Sequence, residues 1–574
     1  MIGKRKSQQA LFDVGNVFDL ALPASSYHAQ LARAAAHLFK DEDFAAFYSS
    51  GMGRPSVPPS QLAILVILQG HANVSCEEAI ARSAFDARWS AVLGLPLGEP
   101  LCARSTLELF LAHLQVHDEA LQILQSSLTE AKRCGLLSGR ALRVALDTKP
   151  IIGRGAVEDT YNLLATGIRQ LARVLAQREK RVVPEWLSAN NLCRYLAPSI
   201  KGTVSIDWSD QEAKDQFLAD IVADARRVLA MAEPYLMAGD ASVKEAASLL
   251  CQILLQDIAE TISADGSPEA SIKEGTVPGR VPSATDPQQR HGRKSKSKRF
   301  NGHKAAIATD IETGLITATK VIPGDAGDST GSLDLVEQSE ENTDLPVEEA
   351  IGDCAYGGGQ TRQNFADADR QLFAKVPTEW QGNGLFPKSA FVIDLVMQTV
   401  TCPGGETARR HTQTADGSKI FFFGQACTDC ALKEHCTTAK NGRTLHVHAQ
   451  EQLLRDARAY QKTPEGRAHL KERLIVENSL GRLAQLGIGQ AKRVGRAKTG
   501  VQLAIAAAVA NFRRTWNWQD KQTNTHKNDG NGRPGGQKYP AMVIWSLSET
   551  LQTVNSTFNT TFRTMSRPKM AIAA

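Results

Sequence analysis

The residues best suited to chemistry in this chain are three carboxylates at the ends of, or on, apolar segments. Residues 141–149, Ala-Leu-Arg-Val-Ala-Leu-Asp-Thr-Lys, read as a short strand that stops at Asp147. Leu142, Val144 and Leu146 share one face by the period of two, so a half-buried strand would deliver Asp147 to its exposed C-terminal end as a metal ligand. A strand-end Asp capping the turn before Pro150 has the same signature. Val347–Gly352 repeats the device, ending in Asp353 before the turn Cys354-Ala355-Tyr356-Gly357-Gly358-Gly359. Farther on, a helix over Leu470–Leu480 sets Arg473 and Glu477 one turn apart on one face, as a surface ion pair or as a third acidic ligand beside a cation. Carboxylates that share divalent metals about 4 Å apart stabilise both the attacking and the leaving oxygen of a phosphodiester displacement.

A phosphodiester substrate needs cations, and they come in three groups. The run Arg290-His291-Gly292-Arg293-Lys294-Ser295-Lys296-Ser297-Lys298-Arg299 holds six Arg or Lys in ten residues and leads through Phe300-Asn301-Gly302-His303-Lys304 into a strand at Ala305–Ile311. A basic loop anchored at a sheet edge can grip nucleic-acid phosphates; a solvated basic tract is the plainer alternative. Gly153-Arg154-Gly155 opens a loop into a helix, where glycine permits close backbone approach to a phosphate and Arg154 supplies charge, although a simple turn has the same composition. Ala491–Thr499 carries Lys492, Arg493, Arg496 and Lys498.

Ten cysteines divide into six scattered ones, which form no extracellular framework, and four gathered at Cys402, Cys427, Cys430 and Cys436. The Cys-x-x-Cys within that set suits a structural zinc in a small strand-rich module, while its irregular spacing equally suits reduced thiols that only pack.

The elements that must position these groups follow from periodicity and turn chemistry. A strand to Asp147, a hairpin turning at Thr313-Gly314 between Ala305–Ile311 and Leu315–Ile322, a helix at Ser332–Gln338, a strand to Asp353 and a fifth strand at Gln371–Val376 form the pattern of an RNase H-like core. The fold class is therefore multidomain α+β or α/β. Residues 1–136 are helical, with apolar spacing of three and four over Ser26–Phe39, Pro59–Gln69, Cys76–Leu93 and Ser105–Ala131, and Ser60 as an N-cap. The pair of helices joined at His71–Ser75 fits a helix-turn-helix or an ordinary bundle. The first part of the core spans 137–165, a helical insertion and linker 166–289 (the linker over 263–289), the second part of the core 290–376, a Cys-containing insertion 377–455, the last catalytic helices 456–514, and a polar, partly disordered tail 515–574.

At 574 residues with 42% apolar content the chain has ample material for several cores, and 66 basic against 61 acidic residues leave a net charge of only +5, so clustering of charge matters more than its sum. Its longest apolar runs, Leu62–Leu68 and Ala504–Ala510, are too short to span a bilayer.

Together these motifs resemble the DDE transposases of bacterial insertion sequences. The likeness rests on Leu-Asp-Thr-Lys-Pro-Ile-Ile-Gly-Arg-Gly-Ala-Val-Glu-Asp-Thr-Tyr (146–161), Asp-Pro-Gln-Gln-Arg-His-Gly-Arg-Lys-Ser (286–295) with Phe-Asn-Gly-His-Lys (300–304), Gly-Asp-Cys-Ala-Tyr-Gly (352–357) and Arg-Leu-Ile-Val-Glu (473–477), and it covers most of residues 10–514. It implies Asp147, Asp353 and Glu477 as a catalytic triad holding Mg²⁺ or Mn²⁺, and an N-terminal domain that binds the element's ends. The implied activity is hydrolysis at transposon ends followed by strand transfer into target DNA. The implied partners are double-stranded DNA, as terminal repeats and target, and further copies of the chain as a dimer or higher oligomer. The implied setting is the bacterial cytoplasm, associated with the nucleoid and not with a membrane. Contacts to DNA are expected from Arg154, Arg290, His291, Arg293, Lys294, Lys298, Arg299, Lys304, Arg473, Lys492, Arg493, Arg496 and Lys498. One related signature has a Tyr three residues before the Arg and a Lys seven after the Glu; this chain has Leu470 and Ala484, so the roles of those side chains do not carry over. Two other readings stay open: a transposase-derived regulator that binds DNA without cutting, and an RNase H-like nuclease without strand transfer.

Overall fold

A computed structural model describes residues 1–5, 22–49, 53–116, 120–262, 268–275, 277–295, 297–377 and 384–529. Lys296 and the tail beyond Asp529 lie outside these residues. The chain divides into two units, Met1–Asp520 and Lys521–Ala574. The fold is mixed α/β.

The N-terminal region is helical. Tyr27–Leu38 starts at Ser26, whose hydroxyl accepts the Ala29 N–H. Pro59–Ala72 begins at Pro58, not at Ser60; the fixed φ of proline suits a first helical turn, and Ser60 is buried inside it with its N–H donated to Asp41 Oδ1 at 3.0 Å. The segment expected as one helix over Cys76–Leu93 is two, Cys76–Phe85 and Ala87–Leu93, because Asp86 leaves helical geometry and caps the second through the Arg88 N–H. Arg104–Val116 and Ala120–Arg133 occupy the stretch expected as a single helix over Ser105–Ala131.

The central sheet opens with β1 (Leu142–Ile152); a two-stranded hairpin, β2 (Ile258–Ile262) and β3 (Pro268–Ile272), stands apart from it. Then come β4 (Arg290–Arg293), β5 (Arg299–Asp310), β6 (Ile316–Pro323), β7 (Val347–Gly352) and β8 (Gln371–Ala374). The order is β4-β5-β1-β7-β8, with β6 also paired to β5. β5 runs antiparallel to β1 and β6, whereas β7 is parallel to both β1 and β8. β1 is therefore central, and Leu142, Val144, Ala145 and Leu146 are all fully buried, where the alternation alone had predicted a half-buried strand. Nor does β1 end at Asp147. It continues to Ile152 against β5, but its pairing with β7 stops at Ala145, and the carboxylate stands where that partner has run out.

Residues 160–257 form a helical layer, chiefly Thr160–Arg178, Gln211–Met237 and Ala241–Asp257, around a hydrophobic core of its own. The chain then returns toward the core, exposed over 271–275 but running through the interior from Val281, where Ser283, Asp286 and Gln289 are fully buried. This strap explains the glycines after β1. A Cβ on Gly153 would lie 1.8 Å from Gln289 Oε1, and one on Gly155 2.6 Å from Asp286 Cβ, so both make room for protein and not for a phosphate.

The cysteine-bearing insertion has two three-stranded sheets. The first comprises β9 (Val392–Asp394), β10 (Thr399–Thr401) and β11 (Thr407–Ala408), the second β12 (His411–Gln413), β13 (Lys419–Phe422) and β14 (Thr444–Val447), over a small core that includes Phe391, Phe421 and Phe423. Helices Glu451–Tyr460, Pro464–His469 and Leu474–Gln485 lead back to the sheet. The last helix, Arg496–Asp529, extends past the expected end at Arg514 because Trp516 is 2% exposed within the core. One continuous core joins the N-terminal helices, the central sheet and this helix, so residues 1–136 do not stand as a separate body. Among the described residues no helix is long and apolar enough to cross a membrane.

Candidate functional site

Asp147 is half-buried in the middle of β1, and its own Thr148 N–H donates to Oδ1 at 2.7 Å. Asp353 begins the turn after β7, accepting the Ala355 N–H at 2.8 Å. Because β7 lies beside β1, both carboxylates emerge at one edge of the same strand pair. The helix Leu474–Gln485 packs against β1, and Arg473, at its N-cap, reaches both ways. Arg473 Nη1 lies 3.9 Å from Asp147 Oδ2 and Nη2 lies 3.3 Å from Glu477 Oε1. Glu477, on the first turn, has a side chain 53% exposed.

Electrostatics ties these groups together. Burial, reinforced by the neighbouring Asp353 and Asp328, pushes the Asp147 carboxyl up to about 6, against the opposing pull of the Thr148 N–H and Arg473. Tyr356 is fully buried, and burial together with the charges of Asp147, Asp328 and Asp353 raises its phenol well above the ordinary range. Its hydroxyl has no hydrogen-bond partner. Sequence reasoning missed Asp328, which lies in the glycine-bearing turn after β6 without a motif to mark it, and gave Tyr356 no role. Among the described residues the one group of three or more ligand atoms lying mutually within 4.8 Å is Glu349, His469 and Glu472, so Asp147, Asp353 and Glu477 stand farther apart than that.

The cations fall into different surroundings. Arg154, Lys492, Arg493 and Lys498, drawn from two distant motifs, line one cleft of about 530 Å³ with Arg104 and Cys76 of the N-terminal helices. Within it, burial lowers the Lys492 ammonium below its usual value, a shift that the neighbouring Cys76 opposes. Arg496 is tied at its backbone, its N–H donating to Gln288 Oε1 at 2.7 Å. The basic run forms the β4–β5 hairpin, on which His291, Arg293, Lys294, Lys298 and Arg299 are exposed. Arg290 instead turns inward to the carbonyls of Pro287 and Gln289 at 2.6 and 2.8 Å. Lys304, expected on the DNA-facing surface, is 7% exposed and donates to Asp328 Oδ1 at 2.7 Å and the Ala326 carbonyl at 2.6 Å. It lies on β5 between β1 and β6, paired with Pro150 and Ile322, and its charge is spent inside the protein.

Cys402, Cys427, Cys430 and Cys436 all line one small space of about 20 Å³, with Phe386, Phe423 and Arg443 around it. The fold thus gathers four thiols that are up to 34 residues apart in sequence, at the wider spacing that the 4.8 Å limit implies.

Two family models match the chain. A "Transposase DDE domain" model covers residues 401–516, which takes in the cysteine module, Arg473 and Glu477, and a "Transposase domain (DUF772)" model covers residues 21–113, the N-terminal helices. No curated protein and no solved structure matches the chain.

Proposed function

With the DDE-type transposase of an insertion sequence that both family matches indicate as the premise, we propose that Asp147, Asp353 and Glu477 are the catalytic carboxylates of an RNase H-like core that cuts transposon ends and joins them to target DNA. The observation that carries this reading is the reach of Arg473, which touches a carboxylate on β1 and another on the helix Leu474–Gln485, and so draws two motifs separated by more than 300 residues into one place. The strand order supports it: a hairpin antiparallel to β1 on one side and two parallel strands on the other is the arrangement the RNase H-like pattern requires.

The donor set fits divalent metal. It consists of hard carboxylate oxygens, one of them at Asp147, where burial disfavours the charge that a bound cation would offset, near the unpartnered Tyr356 hydroxyl. Mg²⁺ or Mn²⁺ bound by Asp147, Asp353 and Glu477 would supply activation of the attacking water or 3′-OH and stabilisation of the leaving oxygen. The chain's own groups do the rest. The Thr148 N–H fixes one oxygen of Asp147, Arg473 holds Glu477 toward it and would present a cation to the scissile phosphate, and the fully buried Tyr356 lies within electrostatic reach of Asp147 and Asp353. Arg154, Lys492, Arg493 and Lys498 would grip the DNA backbone in their cleft, and the exposed hairpin cations would extend that track. Joining two ends to one target calls for at least two copies of the chain. Zinc at the four cysteines would serve only to hold the insertion together, since four thiolates leave no open position for water.

Incubation of the protein with Mg²⁺ and DNA carrying the flanking terminal repeats, scored for joined products, tests the proposal. Products that are cut but never joined would make it a nuclease, and end binding without cutting a regulator.

A further inference from the structure

Arg143 stands four residues before Asp147 on β1, and Glu349 four before Asp353 along β7; an even separation puts each pair on one face of its strand. About 13 Å of strand separates the two levels. At the lower level Arg143 Nε donates to Glu349 Oε1 at 2.6 Å and Nη2 to Glu472 Oε2 at 2.5 Å. His469 Nε2 lies 2.9 Å from the same Glu349 oxygen, and its Nδ1 lies 2.7 Å from the Tyr460 hydroxyl. Phe373 of β8 packs edge-on to the imidazole, with ring centroids 4.6 Å apart.

Glu349, His469 and Glu472 are close enough to hold an ion. Yet one guanidinium already bonds both carboxylates, and its planar fork supplies the positive charge that a metal would bring. What the cluster does is join β1 and β7 to the turn ending at Glu472. The next residue is Arg473, and Glu477 follows on the first turn of the helix.

We propose that Arg143 is a positioning residue: by pinning Glu472 against Glu349 it sets where Arg473 and Glu477 stand relative to Asp147 and Asp353, and the Glu349–His469–Glu472 cluster is a clamp and not a second metal site. The proposal rests on the reading of Asp147, Asp353 and Glu477 as the cation-holding group, and its test keeps the two apart.

Full-length wild-type protein, Arg143→Met, Arg143→Lys, Glu472→Gln and Asp147→Asn are compared by Mn²⁺ binding in the absence of DNA, by amide hydrogen exchange over residues 470–480, and by cleavage of terminal-repeat DNA. Arg143→Met and Glu472→Gln should speed exchange across 472–477 and weaken Mn²⁺ binding about tenfold, the usual cost of losing a group that orients a ligand. Arg143→Lys, which keeps the charge without the fork, should recover part of both. Exchange unchanged in Arg143→Met, or in Glu472→Gln should the first fail to fold, overturns the clamp whatever the metal does. An additional Mn²⁺ bound in wild-type protein and retained by Asp147→Asn overturns the claim that the cluster holds no metal. Loss of the catalytic reading itself would appear elsewhere, as Mn²⁺ binding and cleavage that survive in Asp147→Asn.

Discussion

Arg473 lies 3.9 Å from Asp147 across the gap between a helix N-terminus and the central strand, with the same guanidinium 3.3 Å from Glu477. The pairing ties the Arg-x-x-x-Glu motif to β1 as well as to its own helix. Both side chains of the Arg473–Asp147 contact are 20% exposed, so it is partly sheltered from solvent.

Asp147→Asn, Asp353→Asn and Glu477→Gln should each abolish cleavage while leaving end binding intact, since each removes a ligand but no positive charge. Arg473→Lys keeps charge but not the two-way reach, and cleavage should fall about 10- to 100-fold. Gel-shift and cleavage assays on the same protein samples check this; robust cutting by any of the three carboxylate variants would remove that residue from the site.

Asp147→Asn should also raise the thermal unfolding midpoint at neutral pH in metal-free buffer. A carboxyl pushed up to about 6 from an ordinary 3.8 costs stability when charged, a cost fully present above about 6 and relieved as pH falls toward 3.8. The gain should therefore disappear in a melt at pH 4. A functional site that is less stable than its neutral substitute is the expected trade of activity against stability.

Neutralising Arg293, Lys294, Lys298 and Arg299 on the β4–β5 hairpin should weaken binding to all DNA and reduce the slope of log affinity against log salt, by about 0.9 for each phosphate no longer neutralised. Lys304→Met should behave differently. Its side chain is 9% exposed and its ammonium is bound to Asp328, so the substitution should lower the unfolding midpoint and leave the salt slope alone. Affinity that stays constant at every salt concentration in the hairpin variant would show the hairpin to be solvated and unused.

Glu130 joins three helices: it accepts from Arg133 at 2.7 Å and Trp516 at 3.3 Å and lies 3.0 Å from His37 Nε2. Burial alone would raise its carboxyl, but these hydrogen bonds outweigh burial and hold it at about 2 against an ordinary 4.5. Its contribution, on the order of 3 kcal/mol, is present above about 4.5 and lost as pH falls through 2. Glu130→Gln should thus cost most of that in urea unfolding at pH 7 and little near pH 2.

Metal analysis of purified protein should find about one zinc per chain at Cys402, Cys427, Cys430 and Cys436, and its removal by chelator should loosen residues 400–440 while lowering cleavage only indirectly. Near-zero zinc before treatment would mean that the four thiols lining that small space merely pack.

The local signals in this chain were strong where one segment carries its own instructions. Apolar runs leading to an acidic residue marked β1 and β7, although β1 runs on past Asp147 to Ile152, the hairpin turn at Gly314 has the positive φ of 67° that glycine tolerates, and i, i+4 spacing alone paired Arg473 with Glu477. What sequence by itself determined is therefore the order of β1, β5, β6, β7 and β8 and the places of Asp147, Asp353 and Glu477 on or beside these elements, while boundaries such as the helix break at Asp86 and the run of β1 to Ile152 came from packing. Only the tertiary structure decided which charges are free to act. Lys304 reads like its basic neighbours but is spent on Asp328; Arg154 reads like a loop residue but joins Lys492 in a cleft; Arg143 carried no motif and yet grips Glu472 across 329 residues. Gly153 and Gly155 looked like a phosphate loop and serve a buried strap. Periodicity reports which face of a segment is apolar, whereas the partner of a charge is set by long-range packing, which brings together groups whose order along the chain holds no record of the meeting.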